Sequence, residues 1–246
     1  WNEEDAEATE VVGAVSDDDS DSVDRIIVNN YDSEADATSY FKSLNKRDIK
    51  EAGKLIEDYL VPLYADAEKA IIEDKDALRF TYKKESSSDS LLSKLGITMS
   101  QFEFGEFGLG SGKDTVNISK TLHKNVGGKD FQTFTVVNTG DGKTAGDEVD
   151  DTITVTDYDN NNDGQLVINA QGGKDEITAK GSKITRDGMI ILGGAGKDTI
   201  DVDKGIIAFG DKGNIQYKNG NTVVTELGYY ENDVGEHKAG DIIRTE

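Results

Sequence analysis

Three short segments place the tightest limit on what this chain can fold into. Asp151-Thr-Ile-Thr-Val, Asp175-Glu-Ile-Thr-Ala and Asp198-Thr-Ile-Asp-Val begin 24 and 23 residues apart and share an aspartate followed by the alternation of a strand. A second strand type runs between and after them: Gly164-Gln-Leu-Val-Ile-Asn, Gly188-Met-Ile-Ile-Leu-Gly and Gly205-Ile-Ile-Ala-Phe-Gly. The first two start 13 residues after their aspartates, and the third starts only 7 after its own, so the repeat shortens toward the C-terminus. A chain that repeats strand, turn, strand, turn at a fixed period buries its apolar residues only by stacking one circuit on the next. The expected fold is mainly β, a parallel β-roll or β-solenoid. An ordinary antiparallel β-domain with turn-rich loops is the alternative.

The turns carry a second regularity. Gly193-Gly194-Ala195-Gly196-Lys197-Asp198-Thr199-Ile200-Asp201 fits the pattern G-G-x-G-x-D-x-U-x at every position, U being a large apolar residue. Leu109-Gly110-Ser111-Gly112-Lys113-Asp114-Thr115-Val116-Asn117 departs only at the first glycine. Ala170-Gln171-Gly172-Gly173-Lys174-Asp175-Glu176-Ile177-Thr178 keeps the later glycine, the aspartate and the apolar residue. Glycines allow positive φ and exposed carbonyls, and the aspartate adds a carboxylate, an all-oxygen donor set that suits a hard cation such as calcium. On these motifs the chain, from about residue 108 onward, resembles the repeats-in-toxin (RTX), or haemolysin-type, family. That resemblance implies a parallel β-roll with calcium ions between successive loops. The implied metal residues are Gly110, Gly112, Asp114, Gly173, Asp175, Gly193, Gly194, Gly196 and Asp198, and Asp151, which opens the first of the repeated strand segments, joins them as a metal candidate through its place in the repeat.

Stacking also poses an electrostatic problem. With circuits one strand spacing apart, about 4.8 Å, Asp151, Asp175 and Asp198 would form a column. At an effective dielectric near 20, each neighbouring pair would repel by roughly 3 kcal/mol. Cations are one remedy. The lysine of each Gly-Lys-Asp could screen part of the repulsion, and aspartates that merely cap turns in solvent are the plainer reading. A further calcium candidate is Asp157-Tyr158-Asp159-Asn160-Asn161-Asn162-Asp163-Gly164, where Asp159, Asn161 and Asp163 match the opening of the D-x-[DN]-x-[DN]-G loop. Leu166 stands at its inward apolar position, but Ala170 stands where a bidentate glutamate is needed, so a solvated Asn/Asp turn competes with calcium there.

The chain has 27 Lys plus Arg against 49 Asp plus Glu, a formal charge of −22, which argues against nucleic acid as a partner. It contains no cysteine, so bound calcium is the candidate staple in place of disulfides. No run is apolar enough to insert in a membrane. The opening at Trp1 and the repeat-like end Gly240-Asp-Ile-Ile-Arg-Thr-Glu246 suggest a piece of a longer polypeptide.

The N-terminal part follows a different pattern. An acidic lead-in ends in a strand over 23–28, whose Asp24-Arg-Ile start looks like that of the later circuits. Residues 36–100 read as a small helical insertion or cap: Ile49, Ala52, Ile56, Tyr59, Leu60 and Leu63 keep helical spacing up to Pro62, 67–71 suggests a second helix and 88–95 a third. Within that section Leu78, Phe80 and Tyr82 alternate as a strand. Phe102 and Phe104 are expected as core where the cap meets the stacked region, 101–246. Asn219-Gly220 between two strand-like runs marks a hairpin, and Tyr229 and Tyr230 after it are candidate interface anchors.

Catalytic patterns are missing: His123 and His237 stand apart, and no nucleophile-elbow, zinc-protease or phosphate-loop motif occurs. The expected function is a calcium-stabilised structural or adhesive module of a large secreted or cell-surface protein, not an enzyme. Its expected partners are calcium, other copies or segments of the same protein, and surface glycans. The alternative is a calcium-dependent polysaccharide lyase or hydrolase using acid pairs such as Asp150/Asp151 or Asp201/Asp203.

Overall fold

The computed structural model describes residues 13–16, 23–30, 34–43, 76–84, 96–140, 149–159, 163–180, 188–202, 206–210, 213–218, 221–227 and 242–245. The described chain is mainly β with parallel sheets. Its strands begin with β1 (Gly13–Ser16), β2 (Arg25–Asn29), β3 (Ala37–Ser43), β4 (Leu78–Lys84), β5 (Ile97–Ser100), β6 (Phe104–Gly108) and β7 (Asp114–Ile118). Next come β8 (Lys124–Val126), β9 (Lys129–Phe131), β10 (Phe134–Asn138), β11 (Thr152–Val155), β12 (Gln165–Asn169), β13 (Gly172–Gly173) and β14 (Glu176–Ala179). The last are β15 (Met189–Leu192), β16 (Ala195–Gly196), β17 (Thr199–Val202), β18 (Ile206–Phe209), β19 (Gly213–Lys218), β20 (Asn221–Leu227) and β21 (Ile242–Thr245).

Two sheets hold most of these strands. Sheet one has the order β1-β5-β4-β3-β7-β11-β14-β17-β21, and sheet two the order β18-β15-β12-β10-β6-β2. From β2 onward the chain visits sheet two, then sheet one, then sheet two again, and, β4 and β5 apart, the strands of these two sheets pair in parallel with their counterparts one circuit away. Ile153 thus lies beside Val116 and Ile177, and Ile177 beside Ile200. Leu166 lies beside Met189, and Met189 beside Ile206. The two strand types legible in the sequence are these two sheets.

Alternation along each strand decides what is inside. Val116, Ile153, Ile177 and Ile200 in sheet one, and Phe107, Val137, Ile168 and Ile191 in sheet two, are all fully buried. Each such side chain contributes about 1.5–3 kcal/mol of apolar burial. Outward positions of sheet one carry Thr115, Thr152, Thr154, Thr178 and Thr199, half-buried β-branched residues suited to a pleated surface.

Three departures from the sequence reading stand out. The stacked region does not start at residue 101, because β2 pairs with β6 and β3 with β7. Asp24, expected to resemble the aspartate starts of sheet one, precedes a strand of sheet two instead. The helical cap is not seen: the expected helices over 49–63, 67–71 and 88–95 lie outside the described residues, and what is described of 36–100 is β3, β4 and β5. Strand β4 runs antiparallel to both β3 and β5. These strands extend sheet one past its parallel part, and Phe41, Phe80 and Phe107, with ring centroids 4.8 to 5.0 Å apart, join the extension to the core. Phe102 is buried, whereas Phe104 is only half-buried and lies under the Arg25 guanidinium at 5.0 Å.

The hairpin expected at Asn219-Gly220 corresponds to the antiparallel pair β19–β20, with Lys218 opposite Asn221. Tyr229, Tyr230 and His237 lie outside the described residues. Among the described residues no helix is long and apolar enough to cross a membrane.

Candidate functional site

The glycine-rich turns lead from sheet two into sheet one, and two of them pair with each other. β13 and β16 form a short parallel ladder, and the Ala195 N–H donates to the Gln171 carbonyl at 2.6 Å. Positive φ is required at Gly110 (126°), Gly173 (141°), Gly194 (101°) and Gly196 (135°). Close approach is the stronger constraint. A methyl group at Gly196 would overlap the Gly173 carbonyl oxygen, one at Gly194 the Gln171 carbonyl, one at Gly112 the Ala35 carbonyl, and one at Gly193 the Gly210 carbonyl. The glycines recur because each turn lies directly on the backbone of another, a reason that stands without an ion.

Immediately after these turns the aspartates align. The register of β7, β11, β14 and β17 puts Asp114, Asp151, Asp175 and Asp198 in single file, each no more than 2 % exposed. The file is stitched by backbone donors. The Asp114 N–H donates to Asp151 Oδ1 at 2.7 Å, the Asp151 N–H to Asp175 Oδ1 at 2.8 Å, and the Asp175 N–H to Asp198 Oδ1 at 2.9 Å. A parallel outer row does the same in solvent, with the Lys113 N–H on Asp36 and the Lys174 N–H on Asp150. Lys113, Lys174 and Lys197 themselves point into solvent.

These hydrogen bonds do not exhaust the carboxylates. Both oxygens of Asp114 and Oδ2 of Asp175 are buried with no hydrogen-bond partner. Burial, followed by the Asp151 and Asp36 charges, pushes the Asp114 carboxyl up to about 8. Burial, with the charges of Asp151, Asp198 and Asp150, pushes Asp175 up to about 8 against the lowering effect of the Asp151 N–H. Asp151 rises only to about 6, because the Thr139 hydroxyl and the Asp114 N–H stabilise its charge against burial. At neutral pH Asp114 and Asp175 therefore tend to hold a proton, and as pH rises past about 8 a cation would have to take its place.

Calcium fits the chemistry of this donor set: every available atom is oxygen, and Asp114 and Asp175 hold buried oxygens without partners. Among the described residues no group of three or more His, Cys, Asp or Glu converges to hold a metal. An ion here would thus draw on successive carboxylates of the file and turn carbonyls rather than on a carboxylate cage.

The Asp157–Asp163 loop has a different explanation. Asp163 is 6 % exposed and forms an ion pair with Lys120 Nζ at 3.2 Å, while its Oδ2 accepts the Asp159 N–H at 2.9 Å. Asp157 is exposed with φ 57°, and Asn161 lies outside the described residues. The Tyr158 hydroxyl closes the loop by donating to the carbonyls of Gly164 and Gly188. Lysine already supplies the positive charge that a cation would bring, and Gly164 is required where a side chain would strike Thr133.

Sequence reasoning missed the buried lysines of the excursion between β7 and β10. Lys124 is wholly buried between Asp24 and Glu103, and nothing local marks it, since its partners are about 100 and 21 residues away. His123 lies between Asp130 at 3.2 Å and Asp76 at 3.7 Å. Of the acid pairs, Asp150 accepts the Lys174 N–H, Asp151 is buried in the file, Asp201 pairs with Lys180 at 2.9 Å, and Asp203 lies outside the described residues. Comparison of the chain with protein-family models, with curated proteins and with solved structures finds no match, so the likeness to the RTX family rests on the glycine-aspartate motifs alone.

Proposed function

We propose that this chain is a calcium-responsive structural or adhesive module, a parallel β-solenoid belonging to a large secreted or cell-surface protein. Alternation of the chain between two parallel sheets supports the solenoid, and the threefold Gly-Lys-Asp turn supports the likeness to a β-roll. The observation that carries the calcium reading is the file of four buried aspartates, in which Asp114 and Asp175 retain oxygens that no hydrogen bond satisfies. Asp114, Asp151, Asp175 and Asp198, with carbonyls of the glycine turns, would hold the ion, whose part is to neutralise charge that the stacked circuits cannot neutralise themselves.

Stacking makes this a mechanical device. Where calcium is scarce, the file repels itself as rising pH strips its protons, and the circuits lose stability; at the millimolar calcium outside cells, the ion binds only the folded stack and stabilises it by mass action, about 3–4 kcal/mol per site for a micromolar dissociation constant. Among the described residues, sheet two ends at β2 on one side and β18 on the other, both parallel to their neighbours. Another copy or segment of the same kind would continue that sheet by translation, which supports end-to-end assembly.

The test is thermal melting of the full chain at pH 8 in chelator, in calcium and in magnesium. The expected result is a rise of about 10 °C in melting temperature with calcium, from the per-site energy and the usual 2–4 °C per kcal/mol for a chain of this size, and a much smaller rise with magnesium. A melting temperature indifferent to chelator would overturn the reading.

A further inference from the structure

A second group of buried charges lies at the entry to sheet two. Lys124 opens β8 with a side chain 0 % exposed, against 11 % for Asp24 and 12 % for Glu103. Arg25 pairs in register with Phe104, so Asp24 and Glu103 stand side by side just ahead of neighbouring strands. Glu103 is held at both oxygens: Oε2 accepts the Asp24 N–H at 2.9 Å, and Oε1 lies 2.5 Å from Lys124 Nζ. Lys124 Nζ also donates to Asp24 Oδ2 at 3.4 Å, and the Phe131 ring lies 5.9 Å away. An amine, a carboxyl group and a second carboxylate in contact with the amine are the complete set of groups needed to make an amide.

We propose that Lys124 and Asp24 become joined by an intramolecular isopeptide bond, which the folded protein forms itself with Glu103 carrying the protons. Glu103 takes a proton from the Lys124 ammonium, and the freed amine attacks Asp24 Cγ. The N–C bond forms, one C–O bond of Asp24 breaks, and the two protons lost by nitrogen pass through Glu103 to the departing oxygen, which leaves as water. Glu103 ends as the carboxylate it was at the start, and no oxidant, reductant or cofactor takes part.

Two physical effects oppose each other here. Burial pulls the Lys124 ammonium down, but the Glu103 and Asp24 carboxylates outweigh it and hold the group above its ordinary range, so the resting state is an ion pair and the first proton transfer is uphill. Against this, an amine already held 3.4 Å from an Asp24 oxygen avoids much of the entropic cost of meeting, and the neutral amide removes two charges from a largely buried place. The bond would span 100 residues, tying the first strand of sheet two to the excursion that follows β7.

The experiment is intact-mass measurement of the full, denatured chain, followed by proteolysis and sequencing of the joined peptides. The expected result is a mass short by one water, about 18 Da, and a branched peptide linking residues 24 and 124. Lys124→Arg and Glu103→Gln are both expected to restore the full mass, with circular dichroism confirming that each still folds. An unmodified chain carrying the full sequence mass would overturn the proposal. So would a water loss that persists in Lys124→Arg, because dehydration at an Asp-Gly step such as Asp163-Gly164 gives the same mass without Lys124. A branched peptide in Glu103→Gln would overturn the role given to Glu103.

Discussion

The molecule buries carboxylates in two regions and treats them in opposite ways. At the entry to sheet one, Asp114, Asp151, Asp175 and Asp198 stand in file, and the last three carboxylates accept the backbone N–H of the preceding aspartate while that of Asp114 accepts none. Around the excursion between β7 and β10, Asp163 meets Lys120, and Asp24 and Glu103 meet Lys124. The difference follows from regularity. Where the circuits repeat, a side chain at Gly193, Gly194 or Gly196 would strike neighbouring backbone, and the lysine of each Gly-Lys-Asp turn is exposed to solvent. Where the chain leaves the repeat, a free segment can bring a lysine in. In the file, Asp151 feels the Lys113 charge only from the solvent side, and burial still raises its carboxyl.

The largest effect that would sharpen this contrast is expected from Lys120→Met. Removing one member of a buried pair strands the other, so Asp163 should cost the fold about 3–5 kcal/mol, read by urea denaturation. Calcium is expected not to restore the loss. Recovery in calcium would make the Asp159–Asp163 loop a cation site and dissolve the distinction between the two regions.

Gly196→Ala comes next, at about 2–4 kcal/mol, from the left-handed backbone and the overlap with the Gly173 carbonyl together. Gly128→Ala is its control: φ is 83° there too, but nothing lies within 4 Å, so only about 1 kcal/mol is expected. Equal costs would mean that turn conformation, not stacking, selects the glycines.

The parts of this architecture that repeat were legible in the sequence, and the parts that do not were not. Asp151, Asp175 and Asp198 announced their register because a 23- or 24-residue period writes the spatial column directly into residue spacing. Asp114 was found from its Gly-Lys-Asp turn despite the longer excursion that separates it from Asp151. Lys124 carries no such signal, since its pairing depends on where the excursion folds back. Asp24 misled for a related reason: its local pattern matched the sheet-one starts, while β2 pairs with β6 in sheet two. The Asp159–Asp163 loop looked like a cation loop because local spacing cannot reveal Lys120 arriving from 43 residues away.

Asp175→Asn tests the file itself. Its carboxyl is raised from 3.8 to about 8 in the folded state, so the native chain binds a proton that the unfolded chain has released. In chelator, that contribution is complete below about pH 4 and is lost as pH rises toward about 8, at up to about 1.4 kcal/mol per pH unit for one proton. Asparagine keeps an oxygen for the Asp151 N–H and carries no charge. At pH 8 in chelator the variant is expected to be more stable than the parent by about 1–3 kcal/mol, and in calcium that advantage should vanish or reverse. A variant less stable in both conditions would show that the ionised carboxylate is wanted for its own sake.

Arg25→Ala should have the smallest effect and sets the floor of the comparison. Arg25 reaches Glu106 at 2.7 Å and covers the Phe104 ring, yet its side chain is 53 % exposed and that of Glu106 28 %. Water can replace the guanidinium at this surface, so the expected loss is below about 1 kcal/mol and should shrink further in high salt. The contact is shorter than the 3.2 Å between Lys120 and Asp163, which makes the pair a direct test of whether distance or burial governs the cost. A loss as large as that of Lys120→Met would mean that burial is not the variable separating the paired carboxylates from the file.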